Sequence, residues 1–166
     1  MEYVGQQNIK RLCNFYVSNI HLSVMLLPYL SKQIDEDVEI TTIFEDLKKQ
    51  DIEDLLNKLN VKNKNEILSM NWFNSNRDDY DNILSAIKEG IKDNKKTTII
   101  IGGNKKYISE NNKRIQDILN NQKINSDIKI IDCYNIYETE KEMREIIQKY
   151  DGIINTSGEI KVTEII

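Results

Sequence analysis

The side chains of this sequence best suited to chemistry stand at the ends of its apolar runs. Glu45 and Asp46 follow Ile43-Phe44. Adjacent carboxylates there are hard oxygen ligands that could hold a cation or activate water; equally, they fit the acidic first turn of a following helix, where the dipole favours them. His21 is the only histidine. Near the start of a helix it reads as a base or as a capping and packing residue, and with no second His or Cys beside it zinc is disfavoured. Gly102-Gly103-Asn104 would let backbone approach a ligand closely or make a tight turn. Tyr16 and Tyr134 end their runs and could send hydroxyls into a cavity, with Ser18 and Asn19 after the first and Asn135 after the second. Trp72, with Phe73 and Tyr80, could line an apolar pocket or simply pack. The lysine pairs Lys48-Lys49, Lys95-Lys96 and Lys105-Lys106 read as solvated faces.

Several catalytic frameworks are missing. A phosphate-cradling loop after the first strand needs the glycines and lysine of G-x-x-x-x-G-K-[ST], whereas that stretch reads Tyr16-Val17-Ser18-Asn19-Ile20-His21-Leu22-Ser23. There is no G-x-G-x-x-G and no nucleophile elbow, and the Ile99 run does not end in an aspartate that could hold magnesium. Neither a catalytic set nor a metal or cofactor site is expected.

The elements that must position these residues follow from a hydrophobic period that switches between two and 3.6. Arg11–Val17 reads as a buried strand. Ser18 or Asn19 can cap the next helix, which is expected to turn Ile20, Val24, Leu27 and Leu30 toward the core. Val38–Phe44 is β-branched and reads as a second strand. A helix follows with Leu47, Ile52, Leu55, Leu56 and Leu59 at core spacing. Glu66–Met70 is expected as a short strand, and Asp78 or Asp79 opens a helix carrying Tyr80, Ile83, Leu84 and Ile87. Thr97–Ile101 is apolar at nearly every position, as in a parallel strand covered on both faces. A helix is expected around Asn111–Asn121, a strand over Ile128–Tyr134, and a helix carrying Met143, Ile146, Ile147 and Tyr150. Gly152–Asn155 is a strand, Thr156-Ser157-Gly158 a turn, and Ile160, Val162 and Ile165 alternate as a final edge strand.

Strands alternating with helices predict an α/β domain with a mainly parallel sheet, helices on both faces and an antiparallel C-terminal hairpin. In such sheets ligands bind beyond the carboxyl ends of the strands, which is why Tyr16, Ser18, Asn19, His21, Glu45, Asp46, Trp72, Gly102, Gly103, Asn104, Tyr134 and Asn135 are the candidate ligand-binding residues.

Length and composition agree with this class. The chain has 166 residues, 39% hydrophobic and 30% charged, a composition for one folded domain over 1–166. A net charge of −4 supplies no bulk basic field for direct nucleic-acid binding. The run Val24–Leu27, cut by Pro28, is far short of the roughly 20 apolar residues of a membrane span. Met1–Gly5 lacks the layout of a signal peptide, and Cys13 and Cys133 read as buried reduced thiols. A cytoplasmic, bacterial-style domain is the expectation.

Order and spacing of several short matches resemble the MEDS domain, the sensory domain of methanogen and methylotroph regulators, itself regarded as a degenerate relative of RecA-like, KaiC-type ATPases. Arg11-Leu12-Cys13-Asn14-Phe15-Tyr16 resembles that family's opening His-Ile-Cys-x-x-Tyr strand, with Arg11 in place of the histidine. Leu26-Leu27-Pro28-Tyr29-Leu30 resembles its Val-Pro-Phe helix segment, and Glu39–Asp46 its second strand and acidic end. Asn65–Trp72 resembles the strand after its glycine-glutamine turn. Thr98–Asn104 resembles its Arg-Val-Thr-Gly-Glu-Met strand, with Asn104 in place of the glutamate; Cys133-Tyr134-Asn135 resembles its Cys-x-Tyr strand end, and Gly152–Ile160 its closing hairpin. The resemblance implies a degenerate RecA-like fold and a non-enzymatic ligand-sensing domain. It would bind a small apolar metabolite at the strand ends and signal through a regulatory protein partner or a homo-oligomer. The alternatives are a pseudo-ATPase interaction module without ligand, or a residual nucleotide-binding enzyme with Glu45 as general base.

Overall fold

Alternation along the strands sorts the whole chain into layers. In the computed structural model, which describes residues 9–75, 78, 80–122, 124, 126–155 and 157–164, seven strands form one sheet. The strands are β1 (Ile9–Tyr16), β2 (Glu39–Phe44), β3 (Asn71–Phe73), β4 (Thr97–Gly103), β5 (Ile128–Asn135), β6 (Gly152–Asn155) and β7 (Gly158–Lys161), in the order β3-β2-β4-β5-β1-β6-β7. Every neighbouring pair is parallel except the terminal β6–β7 hairpin. Successive strand residues face opposite sides: Ile100 and Ile131 join one apolar cluster, while Ile99, Ile101, Ile128 and Ile130 join the other.

The first cluster is covered by α1 (Asn19–Asp35), α2 (Lys49–Lys58) and α3 (Lys64–Leu68); the second by α4 (Tyr80–Lys92) and α5 (Lys105–Asn120). The chain is therefore a three-layer α/β structure with helices on both faces and an antiparallel edge pair, as the alternation of elements predicts. After β5 come α6 (Ile136–Thr139), a 3-10 turn at Glu140–Glu142 and α7 (Met143–Ile147). No helix among the described residues is long and apolar enough to cross a membrane.

Local expectations fare unevenly. α1 turns Leu22, Met25, Leu26, Tyr29 and Leu30 inward with Leu27, whereas Ile20 is 70% and Val24 44% exposed. Those two thus leave the core, although Leu27 and Leu30 belong to it. The helix runs on through Pro28, whose ring lies on the exposed side. Leu59, expected at core spacing, ends α2 at 42% exposure. Glu66–Met70 is not a strand: Asn63 takes a left-handed conformation (φ 64°) that starts α3, Ile67 anchors it in the core, and the strand begins only at Asn71, beside Thr41. α5 starts six residues earlier than expected because Asn104 caps it, its side chain accepting from the Tyr107 backbone N–H at 2.7 Å. Val162 falls in a 3-10 turn instead of the edge strand. Met1–Gly5, Asp79, Thr156 and Ile165 lie outside the described residues.

The edge hairpin is tied to the sheet by charge. Glu159 on β7 receives Lys10 Nζ at 2.7 Å, Lys129 Nζ at 2.6 Å and the Tyr29 hydroxyl at 3.1 Å. Partial burial pushes its carboxyl up, but the two lysines outweigh that and hold it at about 2.

Gly102 lies inside β4, not in a turn, and it is required there by volume. A Cβ would sit 2.5 Å from Cδ1 of Phe44, a buried ring. Gly102→Ala should lower stability by about 1–3 kcal/mol through overpacking. Urea unfolding checks this: the midpoint should drop with the slope unchanged, and an unchanged midpoint would show that the Phe44 ring yields freely.

Candidate functional site

The inner face of β5 runs Ile128, Ile130, Asp132, Tyr134. Two isoleucines give way to an aspartate that is 2% exposed. An ionised carboxylate at such a place needs hydrogen-bond donors to offset lost hydration, and three elements bring them. Asn112 on α5 donates from Nδ2 to Oδ1 at 2.9 Å and Oδ2 at 3.0 Å. Tyr150, in the turn after α7, donates its hydroxyl to Oδ2 at 2.5 Å. Because that proton is committed to Asp132, the 2.6 Å contact between Tyr150 and Tyr134 hydroxyls runs with Tyr134 as donor. The Tyr134 ring is positioned by stacking on Phe15 at 5.7 Å and by an edge contact with Tyr150 at 6.3 Å.

Arg11 on β1 completes the group. Its Nη1 donates to Asn112 Oδ1 at 3.3 Å and its Nη2 to Gln116 Oε1 at 2.5 Å, both on α5. Together these residues form the floor of a cleft of about 560 Å³ between α5 and α7, with Lys105, Lys113, Glu142, Glu145 and Lys149 around its mouth. Lys105 pairs with Glu142 across the opening.

Burial dominates the electrostatics. It pushes the Asp132 carboxyl up to about 6, against the pull of Tyr150, Asn112 and the Arg11 charge. Burial followed by the neighbouring Asp132 charge raises the Tyr150 hydroxyl far above its ordinary value, so it stays a donor. The Tyr134 hydroxyl is raised to about 12, again chiefly by burial. Cys13, the strand partner of Asp132, is pushed to about 12 by burial and then by that carboxylate. A neutral thiol at that position is a poor nucleophile. Both cysteines are free and buried.

The residues singled out from sequence are dispersed along the strand ends, and most are occupied by one another. Ser18 caps α1, accepting from the His21 N–H at 3.1 Å, while His21 Nδ1 accepts from the Val17 N–H at 3.0 Å. Glu45 accepts from the backbone N–H and side-chain amide of Asn104, each at 3.2 Å, which joins the ends of β2 and β4. A Cβ on Gly103 would lie 2.9 Å from the Glu45 Cβ and the Tyr107 ring. Trp72 donates to the Ile67 carbonyl at 2.8 Å and stacks on Phe44. Tyr16 is buried in the first cluster, and Asp46 is exposed. Asn135 caps α6 through Tyr137 N at 3.0 Å. Asn19 borders a smaller groove of about 260 Å³ beside α2. Tyr134 alone of the set belongs to the α5–α7 cleft.

Arg11, Asn112, Gln116, Asp132 and Tyr150 were therefore missed as site residues. One signal was present: a strand apolar enough to be covered on both faces carries a single acid, and such residues are almost never buried unpaired. Among the described residues no His, Cys, Asp and Glu cluster is arranged to hold a metal ion. The chain matches no family model, no curated protein and no solved structure.

The raised Asp132 carboxyl has a thermodynamic signature. The folded chain keeps this proton up to about pH 6, whereas the unfolded chain releases it near its ordinary 3.8. Folded protein then binds more protons across that window, so stability falls as pH rises through it, by on the order of 3 kcal/mol at most. Glu159 acts oppositely and lower, between 4.5 and about 2, where stability is lost as pH falls. Urea midpoints from pH 3 to 7 should fall on the alkaline side of about 4 in the native chain, and Asp132→Asn should flatten that decline. A decline of equal depth in the variant would remove Asp132 as its source.

Proposed function

We propose that this chain is a non-catalytic ligand-sensing domain of the MEDS type that receives a small polar molecule in the α5–α7 cleft. The observation that carries this reading is the buried Asp132 carboxylate, held by Asn112 and Tyr150 at the floor of an open cleft. Convergent polar groups with a perturbed acid in a cavity of this volume are the usual marks of a small-molecule site. The ligand class shifts with the site. The strand ends close on their own side chains, while the cleft is lined by charged and amide groups, which favours a polar ligand over an apolar metabolite.

Sensing needs a ligand to favour one of two states. α7 is five residues long, too short to be stable as a helix in isolation. It is anchored by buried Ile146 and, through Tyr150, by Asp132. A ligand touching Asn112 and Tyr150 would bias where α7 sits, and a partner protein or a second copy would read that position. A second reading, the interaction module without ligand, draws on the exposed Ile20 and Val24 of α1.

Thermal unfolding against a panel tests the proposal, with polar metabolites, apolar metabolites, and ATP or GTP with Mg²⁺ as its arms. A ligand at about 100 times its dissociation constant stabilises by roughly 2.7 kcal/mol, a rise in Tm of roughly 5–10 °C for a chain of this length. The expected result is a rise with a polar metabolite that Asn112→Ala removes. A magnesium-dependent rise with nucleotide would sink the sensor reading and revive the enzyme. An apolar ligand whose effect survives Asn112→Ala would return the site to the strand ends.

A further inference from the structure

Resting on that reading of the cleft, we infer that its ligand carries an oxyanion, a carboxylate or a phosphoryl group, and that Arg11 with Lys113 and Lys149 receives it. Arg11 is half-buried and spends two contacts on neutral amide oxygens, those of Asn112 and Gln116. Among the described residues no carboxylate pairs with its guanidinium; Asp151 meets Arg11 only at the backbone, its Oδ2 accepting from the Arg11 N–H at 2.9 Å. Asp132 acts on it at longer range, and both Asp132 oxygens are already taken by Asn112 and Tyr150. The guanidinium therefore retains N–H donors in a fork whose geometry matches carboxylate and phosphate oxygens. A cation set in a cleft with only neutral partners gains strongly from a charged acceptor, because such hydrogen bonds are about twice as strong as neutral ones.

The mouth of the cleft repeats the pattern. Lys105 is neutralised by Glu142, but Lys113 and Lys149, also lining the cleft, make no ion pair among the described residues. Glu145 is the one lining acid at the mouth besides Glu142, and Asp132 lies buried at the floor. The surplus of unpaired positive charge is thus local, in a chain whose net charge is −4. With four cations against three acids the lining carries a small positive excess, enough to favour small anions there over the rest of a negative surface.

The test measures binding of inorganic phosphate and of malonate to the full chain by thermal shift, at ionic strength matched with chloride. Two variants are read beside it: Arg11→Met, which keeps the apolar stem, and the exposed double variant Lys113→Gln/Lys149→Gln, whose folding is not at risk. Either oxyanion should raise Tm above the chloride control, and its affinity should fall at least tenfold in Arg11→Met and several-fold in the double variant. Phosphate acting alone assigns a phosphoryl ligand, and malonate acting alone a carboxylate. A shift no larger than chloride gives, or one unchanged in both variants, overturns the inference. If a neutral polar molecule stabilises the chain and loses its effect in Asn112→Ala while both oxyanions do nothing, the cleft stands as a site and the oxyanion falls. If neither kind of molecule shifts Tm, both readings fall together.

Discussion

The hydrogen bond from Tyr150 to Asp132 joins the turn after α7 to the middle of β5, and much of the second face depends on it. A carboxylate inside a parallel sheet is tolerable only with donors on its oxygens. Those donors come from α5 and from the turn that follows α7. The need to satisfy one buried acid therefore sets where α7 can sit, and where α7 sits defines the cleft between it and α5. Arg11 contributes from β1 without touching the carboxylate. It binds the same Asn112 that binds Asp132, so strand, helix and turn are held by one shared amide.

The strand ends show the opposite solution. There, polar groups satisfy one another and leave little free valence. Ser18 and His21 close the start of α1, Asn104 serves both as cap of α5 and as donor to Glu45, and the glycines of β4 admit the Phe44 and Tyr107 rings. In an open parallel sheet this is where a ligand crevice is expected. Here the backbone positions are those of a crevice, while the side chains supply internal caps and packing.

How much of this was legible in the sequence depends on whether local pattern or distant partners decided it. β4 and β5 were legible because isoleucine runs fit strands covered on both sides, and the terminal hairpin because the turn formers Thr156-Ser157-Gly158 stand between two short apolar runs. Residues Glu66–Met70 were not: Ile67, Leu68 and Met70 satisfy either period over so short a span, and the left-handed Asn63 that starts a helix there carries no distinct local signal. In α1 the apolar residues are so dense that spacing does not choose a face. Ile20, Val24 and Leu27 form as good a stripe as Leu22, Leu26 and Tyr29, and only packing on β1 and β2 separates them. Asp132 is a lone acid in an apolar strand, yet that local oddity does not by itself mark a site, and it was passed over. Its partner Asn112 lies 20 residues away in the chain, and Arg11 meets Asn112 across 101, separations at which no periodicity operates.

The strand order also bears on how the chain is made. Of the seven described strands β1 and β2 are synthesised before the others, yet β4 and β5 stand between them in the sheet. A nascent chain ending near residue 75 can pair β2 with β3 and gather α1–α3, but β1 has no neighbour to bond to until β5 has emerged. The inner strand with the earliest sequence is thus among the last to be enclosed, and its unpaired edge is open for the time needed to translate the intervening segment. Vectorial synthesis would keep β1 waiting on β5, its partner more than a hundred residues further along.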